Sequence, residues 1–196
     1  MRICHLSLML LVGASSAIAQ TPDRVGAGNP ALAPPLGQKE DARARDAGRL
    51  NDADKLFIRE AALNAIAMTE TAKLSRQKHA GAGVIQFGER MMQDRAALDQ
   101  KLAAISVDAA LSPPAALDKE RAAMLDHLRN LEGAAFDRQF WAYQLAEYQK
   151  AAQLSIHEIG SGSNPALKGV ASEALPIIFQ RLRQCQTATM AGAGTQ

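Results

Sequence analysis

Apolar residues recur at helical spacing along four long segments of the chain, and residues typical of helix ends bound each segment. The segments cover about 51–78, 84–104, 134–159 and 165–189, and a shorter amphipathic segment covers about 117–131. Asn51 or Asp52 is the expected N-cap of the first helix. Asn164 is the expected cap of the last, with Pro165 at its first position. Pro176 lies inside that last helix, so we expect a kink or a division there.

The third long segment holds most of the aromatic residues of the chain. Phe136, Phe140 and Tyr143 fall at i, i+4 and i+7, and a second apolar stripe that contains Trp141 and Tyr148 runs beside them. Two adjacent stripes at this spacing indicate a helix that is buried over a wide arc. We therefore expect this helix to be the wall against which the others pack.

Alanine is abundant and β-branched residues are few, which favours helix over sheet. The first two helices are joined by a short connection and must run antiparallel. The second and third long helices are separated by a stretch that is long enough to return along the bundle. This pattern predicts an all-α fold, a ferritin-like four-helix bundle with an extra short crossover helix. The alternative is a plain up-down bundle with a fifth helix packed alongside.

The N-terminal residues have the three parts of a secretory signal peptide. Arg2 is followed by an apolar stretch at 3–12, which is too short to span a bilayer, and then by the A-x-A site Ala17-Ile18-Ala19. We expect cleavage after Ala19, with Gln20 as the mature start and a periplasmic or secreted location. The predicted organisation is a signal peptide at 1–19, a disordered tether rich in Pro, Gly and Ala at 20–50, the helical bundle at 51–190 and a frayed tail at 191–196.

Charge and cysteine content narrow the classes of partner. Lysine and arginine number 22 against 20 aspartate and glutamate residues, so the chain lacks the basic excess of a nucleic-acid-binding protein or of a polybasic membrane patch. No segment after the signal is long and apolar enough to cross a membrane. Cys185 is the one cysteine that remains after cleavage, so no internal disulfide can form. Its thiol is either buried and inert or available for an intermolecular bond, which leaves a dimer through Cys185 open.

Catalytic and metal-binding motifs are absent from the sequence. A di-metal bundle needs Glu-x-x-His on two of its helices, and no Glu-x-x-His occurs. His79, His127 and His157 lie on separate segments, and none is one helical turn from another. No nucleophile motif such as Gly-x-Ser-x-Gly is present. We therefore expect no cofactor and no tightly bound iron, manganese or zinc, and the alternative is a metal site or oxidoreductase built from carboxylates alone.

Several short stretches of the chain resemble the DUF4142 proteins, a bacterial envelope family of ferritin-like helical bundles. The matching stretches are Asp54–Ala62, Met68-Thr69-Glu70, Val84–Asp94, Gly133–Arg138, Asn164–Ala171 and Leu175-Pro176. They occur in family order and cover about 52–184. The resemblance implies an exported helical bundle, and members are often labelled predicted outer-membrane proteins.

The chain departs from that family at three positions where the family typically has histidine. Arg95, Tyr148 and Arg181 stand there instead. An arginine that keeps its charge cannot coordinate a metal. These three residues, together with nearby carboxylates, form a candidate inter-helix polar cluster. Its members are Glu70, Asp94, Arg95, Glu147, Tyr148 and Arg181. The sequence thus predicts an exported, non-enzymatic bundle that binds an unknown protein or envelope component or has a structural role.

Overall fold

The structure is a computed structural model, and it describes residues 49–193. The regular elements of this part of the chain are α1 (Asp52–Gln77), α2 (Ala82–Asp108), α3 (Lys119–Arg129), α4 (Gly133–Ser161) and α5 (Pro165–Ala193). The predicted all-α fold, with four long helices and one short helix, is confirmed.

The predicted end of the second helix was wrong, and of the two outcomes predicted at Pro176, a kink or a division, the division does not occur. The second helix continues to Asp108 and includes Ser106, which the sequence had placed in a loop. The Ser106 side chain is buried and donates to the carbonyl of Leu102 at 2.8 Å, so its hydroxyl is satisfied within the helix. The last helix is not divided at Pro176. Pro176 faces outward, while Ala174 before it and Cys185 after it are buried, so packing on the inner side holds both halves in one helix.

Hydrogen bonds at the two ends of the bundle establish the direction of each long helix. At one end, Asn51 before α1 donates from its side chain to the carbonyl of Ser161 at the end of α4. At the other end, the backbone N–H of Gly81 before α2 donates to Asp137 near the start of α4. α1 and α4 are therefore antiparallel, and α2 and α4 run in the same direction. The segment between α2 and α4, which contains α3, returns along the length of the bundle.

The core lies between the four long helices, and α4 contributes its largest fully buried aromatic side chains. Phe136 and Phe140 have no exposed surface, and Phe140 meets Phe87 edge to face at a centroid distance of 6.2 Å. Gly88 marks a close approach of α1 and α2, because a Cβ there would lie 3.4 Å from the backbone and side chain of Ala72. The wide burial predicted for the aromatic-rich helix is confirmed.

The predicted signal peptide lies outside the described residues, as does the predicted tether except for residues 49 and 50. Leu50 packs against the apolar cluster around Phe57 and Leu167. The carbonyl of Arg49 accepts a hydrogen bond from the Ser163 hydroxyl at 2.9 Å. Within 49–193, none of the helices combines the length and apolar character that a membrane crossing requires.

Candidate functional site: a groove between the long helices

A partly open cavity of about 380 Å³ lies between α1, α2, α4 and α5, with Arg121 of α3 at its lining, and we call it the groove. Most of its exposed lining surface is apolar, although polar and charged side chains from several helices also line it. The apolar lining is Leu56, Phe57, Ala61, Met68, Leu98, Leu102, Ala151, Leu154, Val170, Ala174, Ile177 and Ile178. The helical period explains the lining, because residues three or four apart on each helix share the inward face.

Asp94 and Arg181, two members of the predicted polar cluster, pair between α2 and α5 beside the groove, which Asp94 lines. The guanidinium of Arg181 on α5 donates to the carboxylate of Asp94 on α2 at 2.6 Å. Its Nη1 also donates to Gln184 at 2.9 Å. The Arg181 side chain is 8% exposed, so this pair is partly desolvated. Positive charge at position 181 is thus neutralised within the protein.

Asn64 of α1 joins Arg95 to Glu147, two more members of the predicted cluster. Its Oδ1 accepts from Arg95 Nη1 at 2.6 Å, and its Nδ2 donates to Glu147 Oε2 at 3.1 Å. Arg95 also donates to the carbonyl of Ala61 and to Asp99, at 3.1 and 2.9 Å. Helices α1, α2 and α4 are therefore linked through one chain of polar groups.

Glu147 is buried at 1% exposure and takes its main positive partner from α3. Arg121 donates through Nε to Glu147 at 3.2 Å, and through its other nitrogens to Asp118 and Glu60 at 2.6 and 3.2 Å. Burial alone would lower the pKa of Arg121, but the attraction and hydrogen bond of Glu147 outweigh it, so its pKa is raised. Arg121 thus remains charged and fastens the crossover helix to α1 and α4.

Glu70 is the member of the predicted cluster that the structure keeps apart. Its carboxylate pairs with Lys73 on the same helix at 2.9 Å, and its side chain is 34% exposed. It lines a separate shallow depression on α1 with Thr69. The carboxylates Glu70, Asp94 and Glu147 therefore do not converge on one site. Each one instead pairs with a different cationic side chain.

Two buried protonated groups lie beside this polar chain. Tyr148 is 5% exposed, and burial is the main reason its pKa is raised, so its phenol stays neutral. No group in the described part of the chain donates to or accepts from its hydroxyl. Cys185 is fully buried, and burial raises the pKa of its thiol to about 12. A disulfide-linked dimer through Cys185 would require α5 to open.

Among residues 49–193, no three His, Cys, Asp or Glu side chains lie close enough together to hold a metal ion. Tyr148 lines the groove, but the nearby carboxylate of Asp94 is occupied by Arg181. The groove therefore presents mostly apolar surface to a ligand, and the Tyr148 hydroxyl, Gln153 and His157 are among its uncharged polar lining groups.

Sequence reasoning missed four polar residues that the structure places between helices. Asn64 and Arg121 connect the polar chain, and Asp54 and Glu158 are both fully buried near one end of the bundle. A signal existed for Asn64, because asparagine is unfavourable inside a helix and this one lies between apolar neighbours. None existed for the other three, because charged residues on amphipathic helices usually face solvent.

Comparison with known proteins identifies related sequences and a related fold. Residues 39–188 match the family model described as a domain of unknown function (DUF4142). A search of curated proteins found no match. A DUF305 fragment from Deinococcus radiodurans has a similar structure, with a TM-score of 0.63 and 12% identity over 72% of this chain and 97% of the fragment. At that identity, the likeness concerns the fold alone.

Proposed function

Because this chain belongs to the DUF4142 family, which is defined by a shared domain and not by a reaction, we propose its function from the groove. It is a binding protein of the bacterial envelope that holds an uncharged, largely apolar small molecule between its long helices, without catalysis. The observation that carries this proposal is a groove of about 380 Å³ with aliphatic walls whose charged residues pair with one another. Pockets for small molecules typically measure about 300–1,000 Å³ and are mostly apolar with a few polar groups.

The pairing of charges argues for an uncharged ligand. Asp94 is bound by Arg181, and Arg95 is held by Asn64 and Asp99. An anionic or cationic head group would have to break one of these pairs and leave its partner buried without compensation, which is costly. An apolar ligand instead gains by covering the aliphatic walls.

The Tyr148 hydroxyl gives the groove an uncharged polar contact. Its ring is buried between α2 and α4, against Phe87 at a centroid distance of 6.0 Å. The neutral phenol can donate to or accept from one polar atom of a ligand. We therefore expect ligands with a single uncharged polar group to bind better than pure hydrocarbons.

The first prediction concerns an uncharged fluorescent probe, N-phenyl-1-naphthylamine. We expect it to bind the protein with increased fluorescence, and its sulfonated analogue, 1-anilinonaphthalene-8-sulfonate, to bind more weakly. Ala151→Phe fills the groove from α4, so it should weaken binding of the uncharged probe by about tenfold or more, equivalent to roughly 1.4 kcal/mol. The matched control is Ala142→Phe, which places the same ring on the exposed face of α4.

Fluorescence titration with each variant measures the effect, and circular dichroism checks that both variants fold. Equal binding by the two variants would mean that the probe sits elsewhere. Stronger binding of the sulfonated probe would contradict the uncharged character of the site. Tyr148→Phe tests the polar contact, and it should weaken binding of an alcohol or ketone probe more than binding of a hydrocarbon.

A second prediction concerns the compartment. The A-x-A site at Ala17 and Ala19 supports export and cleavage after Ala19. We expect the protein recovered from the cell envelope fraction to begin at Gln20 when its N-terminus is sequenced. Ala19→Arg should block cleavage, because the signal peptidase requires a small residue there. Recovery of a cytoplasmic product that retains Met1 would contradict the envelope location.

A further inference from the structure

Two acidic side chains, Asp54 and Glu158, are buried together where α1 begins and α4 ends. Both are 0% exposed. Asp54 lies in the first turn of α1, and Glu158 lies in the last turn of α4, just before the connection to α5. The buried position of two carboxyl groups needs an explanation, because a desolvated carboxylate is costly unless it is paired or hydrogen-bonded.

Asp54 has that compensation. Its carboxylate accepts from the backbone N–H of Asn51 at 2.7 Å and of Asn164 at 3.1 Å. It also accepts from the N–H and the hydroxyl of Ser163, the latter at 2.5 Å. Asp54 thereby caps its own helix and holds the connection between α4 and α5 against it. These donors stabilise the ionised form of Asp54.

Glu158 has no such donors. Neither of its carboxyl oxygens receives a hydrogen bond from an N–H or O–H group within residues 49–193. Its polar neighbour is the carboxyl group of Asp54. Gly162 lies directly over it, and any Cβ at that position would collide with the Glu158 carboxyl group. Two carboxyl groups can form a hydrogen bond only when one of them carries a proton.

We propose that Asp54 and Glu158 form a pH-sensitive latch, in which a proton on Glu158 is donated to the Asp54 carboxylate and holds the start of α1 against the α4–α5 connection. Loss of that proton places two negative charges in one buried site and weakens the latch. Phe57 and Leu154, which line the groove, lie one helical turn from the two acids, so opening the latch loosens that end of the groove. The proposal of a latch does not depend on the identity of the ligand in the groove.

The electrostatic surroundings place the proton on Glu158. Burial is the main cause that raises the pKa of Glu158 from its ordinary value of 4.5 to about 7, followed by its hydrogen bond with Asp54 and repulsion from that group. Lys168 on α5 acts in the opposite direction. For Asp54, burial raises the pKa, but the hydrogen bonds from Ser163, Asn164 and Asn51 outweigh it, so the net shift is downward.

These shifts determine the sign of the pH dependence. The folded protein holds the Glu158 proton more tightly than the unfolded chain does, so this contribution to stability is complete below about pH 4.5 and is lost as pH rises through about 7. Asp54 behaves in the opposite way, because its pKa is lowered from 3.8, and its contribution is lost only as pH falls below that value. Between these limits, the latch favours mildly acidic conditions.

The test compares thermal unfolding of the wild-type chain and Glu158→Gln between about pH 5 and about pH 8, the window in which Glu158 loses its proton. The wild-type midpoint should fall as pH rises. Glutamine keeps a donor for Asp54 at every pH, so the fall in midpoint that deprotonation of Glu158 causes should be absent from the variant. The variant should then be the more stable protein at the upper pH. The difference between the two profiles isolates Glu158 from other groups that titrate in the same window.

Glu147→Gln is the matched control, because it is the same change at a buried position of the same helix. It breaks an ion pair, so it should lower the midpoint at both pH values and leave the difference between them as in the wild type. Carboxyl ¹³C shifts of the wild-type protein provide a measurement that does not depend on any variant folding. Titration of the Glu158 carboxyl near its ordinary 4.5, or an unchanged decline in Glu158→Gln, would overturn the proposal.

Discussion

Phe140→Ala should lower the free energy of unfolding by about 3–5 kcal/mol, the usual cost of truncating a buried phenylalanine. Phe140 has no exposed surface and lies edge to face with Phe87 and with Trp141, at 6.2 and 5.6 Å between centroids. Removing the ring leaves a cavity at the centre of the aromatic cluster and also removes these contacts. Chemical denaturation followed by the fluorescence of Trp141 measures the loss and reports the changed environment of its ring.

Phe179→Ala is the matched control, since Phe179 is 42% exposed on α5. Its truncation should cost much less, because a large part of the side chain already contacts solvent and its removal leaves no closed cavity. A loss below about 1 kcal/mol for Phe140→Ala would mean that the core relaxes around the missing ring, which the packing of α4 argues against.

Arg121→Met should also lower the free energy of unfolding by about 3–5 kcal/mol, because it leaves Glu147 buried without its main cation. Arg121 is 7% exposed and Glu147 is 1% exposed, so solvent cannot replace the missing charge. The side chain of Lys150, at 3.5 Å from Glu147 and 46% exposed, compensates only in part. Denaturant titration at neutral pH measures the change.

The double variant Arg121→Met with Glu147→Met should recover most of this stability, since apolar replacement of a whole buried ion pair is often neutral or stabilising. The control on the same helix is Arg129→Met, which removes an exposed pair with Asp126 and should cost less than about 1 kcal/mol. Additive losses in the double variant would show that the two residues do not act as a pair.

Arg95 and Arg181 also support a groove without free charge. Arg95 and Arg181 each join two helices, through Asn64 and through Asp94. A guanidinium offers five donors in a planar fork, so it can hold carboxylate, amide and carbonyl oxygens at once. The arrangement neutralises the inward carboxylate of Asp94 and leaves aliphatic surface exposed to the groove, which agrees with a site for uncharged ligands.

Helix positions and the buried stripe of α4 followed from local patterns along the chain. The spacing of Phe136, Phe140 and Tyr143 specifies which side of a helix is apolar, and that side is buried in any compact arrangement. The start of α1 also followed from a local signal, because Asn51 and Asp54, three residues apart, hydrogen-bond to each other. Local patterns did not predict the end of α2 or the continuity of α5 through Pro176, because packing against other helices decides both.

The polar contacts between helices were decided by the tertiary structure. A charged residue on an amphipathic helix is predicted to face solvent. Arg121 and Glu147 are buried together only because α3 packs against α1 and α4. Likewise, Asp54 and Glu158 are far apart in the sequence, and each is ordinary near a helix end. Their shared burial, with too few donors for two charges, arises only when α1 and α4 run antiparallel and bring those ends together.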